Sequence, residues 1–156
     1  MFKEVSCLIA NKKILSVTKG SSGGVKFDFF VAWEEWKKNK FDKLIMVHTH
    51  PNGMDRMSSI DKNMLAGWCK AFPIPIYFVV LTLNEFDEQV GSVYLAKNKK
   101  NTVVMEYLGE LNTNYYFCID LFACSYDDDN DEYFNKFSKN YYDSSYISDL
   151  HITIKI

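Results

Sequence analysis

Leu44-Ile-Met-Val-His48-Thr-His50-Pro51-Asn-Gly-Met-Asp-Arg-Met-Ser58-Ser-Ile-Asp61 holds the sharpest change of pattern in the chain. Leu44 to Val47 is apolar and β-branched and reads as a strand. Residues two apart on a strand project from the same face, so His48 and His50 can present two imidazoles side by side. Pro51 has no backbone donor and ends the pairing. Ser58 to Phe72 then takes up helical spacing, with Ile60, Met64, Leu65 and Trp68 as an apolar stripe, and stops before Pro73. Asp61 falls one turn past Ser58, near the start of that helix, where its carboxylate can join the two imidazoles. Two His and one Asp suit a zinc ion and leave its fourth tetrahedral position open for water, as a catalytic rather than a structural site requires. Such a water has its pKa lowered from about 15.7 to about 7.

Upstream, Val5 to Ala10 and Ile14 to Thr18 read as short strands around the polar turn Asn11-Lys12-Lys13. Gly20-Ser-Ser-Gly-Gly24 is a connector, since no Gly-Lys-Ser/Thr follows to make a phosphate cradle. Val25 to Phe30 reads as a further strand, and Trp33 to Lys40 as a helix with Trp33 and Trp36 on its core face. Downstream, Ile76 to Leu81 has the near-continuous apolar character of a central strand buried on both faces. Gln89 to Lys97 and Thr102 to Leu108 follow as strands, and His151 to Ile156 as a terminal strand. The order predicts an α/β fold, a mixed-sheet sandwich with flanking helices.

The chain has 156 residues, 47% hydrophobic and 24% charged, as expected for one globular unit with a real core. Net charge is -2, and the 18 basic residues include a single arginine, Arg56, with no basic stripe, so no nucleic-acid partner is expected. Ile74 to Leu83, the longest apolar run, is well short of the ~20 residues of a membrane span. Met1-Phe-Lys-Glu4 reaches a carboxylate before a signal-peptide core can form. Cys7, Cys69, Cys118 and Cys124 make no CxxC pair, which favours reduced thiols in the cytoplasm.

Charge divides the chain. Residues 1–110 carry 15 Lys and Arg against 12 Asp and Glu, whereas residues 111–156 carry 3 against 8 and are rich in Tyr. We therefore expect a domain over 1–110 and an acidic, Tyr-rich C-terminal extension over 111–156, packed on the same domain. The run Asp127-Asp-Asp-Asn-Asp-Glu132 lacks the Gly and distal Glu of an EF-hand loop and reads as a solvated loop.

Singly, the pieces of the His48 to Asp61 stretch have plainer explanations. Ser58-Ser-Ile-Asp61 fits a helix capping box, and a His-x-His pair alone is commonly surface or core. Together they fix five identities. With each type at a few per cent, a chance match in a chain this short is on the order of 10⁻⁵.

His48, His50, Pro51, Ser58 and Asp61 resemble the signature of the JAMM, or MPN+, metalloproteases, which remove ubiquitin or ubiquitin-like proteins from conjugates. That family's motif is a Glu on an early strand, then His-x-His-Pro, six residues, and Ser-x-x-Asp. The resemblance implies a cytidine-deaminase-like fold and one zinc per chain held by His48, His50 and Asp61. It also implies that Ser58 stabilises the tetrahedral intermediate and that an upstream Glu shuttles a proton. Glu4, at the head of Glu4-Val-Ser-Cys-Leu-Ile-Ala10 and 44 residues before His48, fits that description. Glu34 and Glu35 compete, but on the Trp33 helix a charged pair reads as a solvated face.

The resemblance covers residues 4 to about 97. The chain departs from the family pattern in having only three residues ahead of Glu4, and Asn11 where a Gly is common. Cys69 is the only Cys or His between residues 62 and 117, so no second-zinc insertion is expected. The implied activity is zinc-dependent hydrolysis of an isopeptide or peptide bond, with a ubiquitin or ubiquitin-like conjugate as partner. Three alternatives stand beside it. One is a non-catalytic MPN-like scaffold. Another is a RadC-like protein, which shares the spacing and matches Asn52-Gly53. The last is a two-histidine phosphoesterase prompted by His151-Ile-Thr153, which lacks its second His-x-Thr.

Overall fold

The structure is a computed structural model that describes residues 2–21, 24–51, 53–111, 116–126 and 132–141. Strands form where short apolar runs meet tight turns. β1 (Val5–Ala10) and β2 (Lys13–Lys19) pair antiparallel with Ala10 opposite Lys13. Asn11 and Lys12 between them have φ of 52° and 61°, the paired positive values of a type I′ hairpin turn. β5 (Gln89–Lys99) and β6 (Thr102–Leu111) repeat the device through Lys100 and Asn101, with φ of 50° and 67°.

The middle of the chain alternates helix and strand: α1 (Phe29–Asn39), β3 (Leu44–Thr49), α2 (Ser59–Ala71) and β4 (Ile76–Leu83). After β6 come α3 (Tyr116–Ala123), a 3₁₀ turn (Cys124–Tyr126) and α4 (Glu132–Tyr141). The protein is thus α/β, with one six-stranded mixed sheet in the order β2-β1-β3-β4-β5-β6. Among the described residues only β3 and β4 run parallel, and α2 is the crossover that a parallel pair needs. None of the helices among the described residues is long and apolar enough to cross a membrane.

Alternation along the central strands sends side chains into two cores, one on each side of the sheet. Val5, Cys7, Ile9, Val47, Val79 and Leu81 meet Leu121 and Phe122 of α3 and Phe137 of α4. On the opposite face Leu8, Met46, Phe78 and Val80 meet Ala32 of α1 and Leu65, Trp68 and Cys69 of α2. Phe72, at the end of α2, is fully buried among the rings of Phe29, Trp36, Phe41 and Trp68. Burying one such side chain stabilises by about 1.5–3 kcal/mol. Residues on both sides of position 110 contribute to the first of these cores.

Three local expectations need correction. Val25 to Phe30 is not a strand. Asp28 instead caps α1, its Oδ1 accepting the Val31 N–H at 3.1 Å, and short polar side chains that bond nearby backbone favour helix starts over extended chain. Phe27, just ahead of the cap, turns into the core. Trp33 is 36% exposed, although it still rests on Phe29 and Phe72. Ile60 is 77% exposed and leaves the apolar stripe of α2 to Leu65 and Trp68, with Met64 partly buried. The expected terminal strand His151 to Ile156 lies outside the described residues, as does the acidic run apart from Glu132, which opens α4.

Candidate metal centre

β3 is paired on both sides, so its side chains are aimed by two neighbours at once. His48 stands opposite Ser6 of β1 and Val80 of β4. Its ring packs against Phe78 and Phe27, with centroids 4.9 and 6.0 Å away. His50 lies one residue beyond β3, yet its N–H donates to the Leu81 carbonyl at 2.8 Å and carries the β4 pairing forward. The chain then turns sharply. Met54 N–H donates to Pro51 at 3.1 Å across Gly53, whose φ is +81°, a sign that a type II turn requires at its third residue and that glycine adopts freely. That turn brings the Met54 carbonyl to His50 Nδ1 at 2.8 Å.

α2 supplies the carboxylate through its cap. Ser58 Oγ accepts the Asp61 N–H at 3.0 Å, and Asp61 Oδ2 accepts the Ser58 N–H at 3.0 Å. The reciprocal bonds of this capping box hold Asp61 pointing back past the helix start. Its Oδ2 then lies 3.1 Å from His50 Nε2 and 3.4 Å from His48 Nε2, and the two Nε2 atoms are 2.6 Å apart. The capping and ligand interpretations of Asp61 are therefore met by one oxygen.

Glu4 arrives from the other side, just ahead of β1. Its N–H donates to the Ser21 carbonyl at 2.9 Å, and its own carbonyl accepts from Gly20 at 2.8 Å. A Cβ on Gly20 would collide with the Gly24 and Val25 backbone, so only glycine fits this approach. Glu4 Oε1 lies 3.7 Å from His50 Nε2 and 3.9 Å from His48 Nε2. Glu34 and Glu35 sit on α1, bonded to Lys37 and to Lys13 and Asn39 respectively, and neither is among the groups that converge on the imidazoles.

Three of the four groups are buried, His48 at 1%, His50 at 3% and Glu4 at 6% exposure, while Asp61 is half-buried at the rim. Burial drives the His48 pKa down despite Asp61, which favours the neutral ring. Burial works the same way on His50, but the bond to Asp61, with help from the Met54 carbonyl and Glu4, raises its pKa overall. Burial alone would raise Asp61, yet the two imidazoles and the Ser58 N–H take it well below the usual carboxylate range. Glu4 is pushed up, by burial first and by Asp61 as well, against the pull of His50.

The donor chemistry fits a divalent cation. When His50 is neutral with its proton on Nδ1 for the Met54 carbonyl, its Nε2 turns a lone pair at Asp61 Oδ2, and His48 Nε2 faces the same spot. Lone pairs so placed repel unless a proton or a cation lies among them. Nδ1 of His48 is buried with no hydrogen bond in good geometry among the described residues; the Val79 carbonyl acts on the ring only toward protonation. A cation on Nε2 would leave the ring proton at Nδ1. Glu4, His48 and His50 form a buried group whose ligand atoms lie within 4.8 Å of one another and could hold a metal ion. Asp61 Oδ2 is nearer to both imidazoles than Glu4 is, which favours Asp61 as the third ligand and sets Glu4 behind it.

A cavity of about 210 Å³ opens onto the cluster, with Glu4, His50, Ser58 and Asp61 in its wall and Met54 and Ile60 beside them. A larger hollow of about 380 Å³, lined by Arg56, Lys62, Tyr94 and Tyr107 among others, contains none of the converging groups. Sequence patterns do not single out the Met54 carbonyl, Gly20 or Phe27. The Asn52-Gly53 turn signal is the one cue to the first of them. The chain matches no family model, and no curated protein matches it in sequence.

Proposed function

We propose that this protein is a zinc-dependent peptidase or isopeptidase of the JAMM type, acting in the cytoplasm to release ubiquitin or a ubiquitin-like protein from a conjugate or precursor. The convergence of His48, His50, Asp61 and Glu4 from three separate segments carries the proposal. In it the α/β sandwich corresponds to the cytidine-deaminase-like MPN fold, the domain over 1–110 holds the reacting groups, and 111–156 is an extension of it. His48, His50 and Asp61 would hold one zinc per chain. When bound, zinc would acidify water toward a pKa of about 7 and polarise a carbonyl.

The chain's own groups divide the remaining work. Glu4, whose pKa is raised by burial, accepts a proton from the attacking water and delivers it to the departing amine nitrogen as the C–N bond breaks. Ser58 Oγ is occupied as acceptor by the Asp61 N–H, so its own O–H remains to donate to the developing oxyanion. No covalent enzyme intermediate forms, and none of the four cysteines, all buried, takes part.

Metal analysis of the purified protein should find about one zinc per chain. Native protein should cut ubiquitin-like fusions, whereas Glu4→Gln should keep its metal and lose about 10²- to 10⁴-fold in rate. Metal without cleavage of any conjugate would point to the scaffold or RadC-like alternative, and protein that binds no zinc would defeat the proposal outright.

A further inference from the structure

Thr49 separates the two histidines and projects from the opposite face of the sheet, into the core shared with α3 and α4. There it meets Ser125 of the 3₁₀ turn, Oγ1 to Oγ at 2.6 Å, and both residues are completely buried. A hydroxyl pair in an otherwise apolar layer needs a reason, because valine would fill the Thr49 position of the strand without a polar group to bury. The backbone around Glu4 supplies one. The β1–β3 ladder ends at Ser6 opposite His48, and the next amide, Val5 N–H, donates instead to Thr49 Oγ1 at 2.9 Å. Two residues earlier Lys3 N–H donates to the Ser125 carbonyl at 2.9 Å. Phe2 lies against the rings of Phe122 and Tyr126.

Residues 2–5 are thus gripped on one side of the sheet while the Glu4 carboxylate reaches the imidazoles on the other. We propose that Ser125 and Thr49 are positioning residues that set Glu4 against His48 and His50, so that the segment after residue 111 forms part of the reacting centre's framework. The inference deepens the peptidase proposal and rests on it for the role of Glu4. It assigns a task to a stretch whose acidic, Tyr-rich composition suggests none.

Thr49→Val keeps the β-branched shape and removes the acceptor for Val5, while Thr49→Ser keeps the acceptor. Ser125→Ala removes the partner hydroxyl from the far layer. Val93→Ala, in the same core two strands away, controls for a general loss of packing. The readouts are kcat and KM on a ubiquitin-like fusion, Tm, and the imidazole NMR resonances of His48 and His50 in zinc-free protein at fixed pH. Thr49→Val and Ser125→Ala should each lower kcat about 10-fold with KM nearly unchanged, the scale typical of residues that support a site without touching substrate. Both should shift the His resonances; Thr49→Ser should restore kcat and the resonances. The double variant should lose no more than either single, because the two hydroxyls act through one amide.

Unchanged kcat and unmoved resonances in both variants would overturn the proposal. So would an equal fall in kcat for Val93→Ala at equal loss of Tm, which would reduce the pair to ordinary core support. If the native protein cuts nothing, the peptidase proposal fails by itself, and the resonances still decide whether Ser125 and Thr49 position the cluster. Should Thr49→Val not fold, Ser125→Ala and Thr49→Ser carry the same comparison.

Discussion

Asp61→Asn separates the two jobs of one oxygen. In the native protein Asp61 Oδ2 takes the Ser58 N–H at 3.0 Å and stands 3.1 and 3.4 Å from the two Nε2 atoms. An asparagine oxygen can keep the first bond but brings no charge to the imidazoles. Zinc that binds only the folded state at 100 times its dissociation constant stabilises by about 2.7 kcal/mol. For a chain of this length that corresponds to a rise in Tm of about 5–10 °C. If losing the carboxylate weakens binding about 100-fold, the same zinc concentration adds only about 0.4 kcal/mol, or about 1–2 °C. Thermal unfolding with and without zinc, for native protein and Asp61→Asn at matched concentrations, measures both increments. A native Tm that zinc does not move, or an Asp61→Asn variant that retains the full rise, would refute the assignment of these three side chains as the ligands.

Ser58→Ala should lower stability by about 1 kcal/mol through loss of the α2 N-cap, and lower kcat by about 10²–10³-fold if its hydroxyl serves the oxyanion; denaturant titration and steady-state kinetics read the two effects separately. Phe72→Ala should cost about 3–5 kcal/mol because the side chain is fully buried among aromatic rings, with zinc stoichiometry unchanged in the fraction that folds. Burial holds the Cys69 thiol up to about 11 from an ordinary value near 9.0. Above pH 9 the unfolded chain sheds a proton that the fold retains, so stability should decline between about pH 9 and 11; Cys69→Ser or Cys69→Ala should make that limb of a pH–Tm profile less steep, the rest being carried by the buried thiols of Cys7 and Cys118, which are raised in the same way.

The Asp61 geometry also explains why capping and coordination need not compete. A capping box fixes the χ angles of its acidic residue through backbone N–H groups within three positions. The carboxylate is then held before any ion arrives, which reduces the entropy lost on binding. His50 is held in the same manner by the Met54 carbonyl. Asp61 and His50 are thus each oriented by a neighbour close in sequence, whereas His48 is held by packing against Phe27 and Phe78, and the sheet sets the distances among all three.

That division runs through the whole molecule. The period-two runs of β1, β3 and β4, the helical stripe of α2 and the Ser58 cap could be read from neighbouring residues, because the interactions that form them span only a few positions. The same holds for two imidazoles on one strand face. Local patterns also compete with one another and with packing: the Asp28 cap starts α1 inside what looks extended, and Ile60 at the mouth of the cavity is left in solvent by the way α2 rolls onto the sheet. Tertiary structure alone decided which carboxylate faces the histidines. Glu4 reaches them because β1 pairs beside β3, bringing together groups 44 residues apart. It also decided that Ser125 lies behind Thr49, 76 positions away. Such contacts depend on which faces bury each other after loop closure, and loop-closure entropy varies too slowly with length for spacing along the chain to announce the partner.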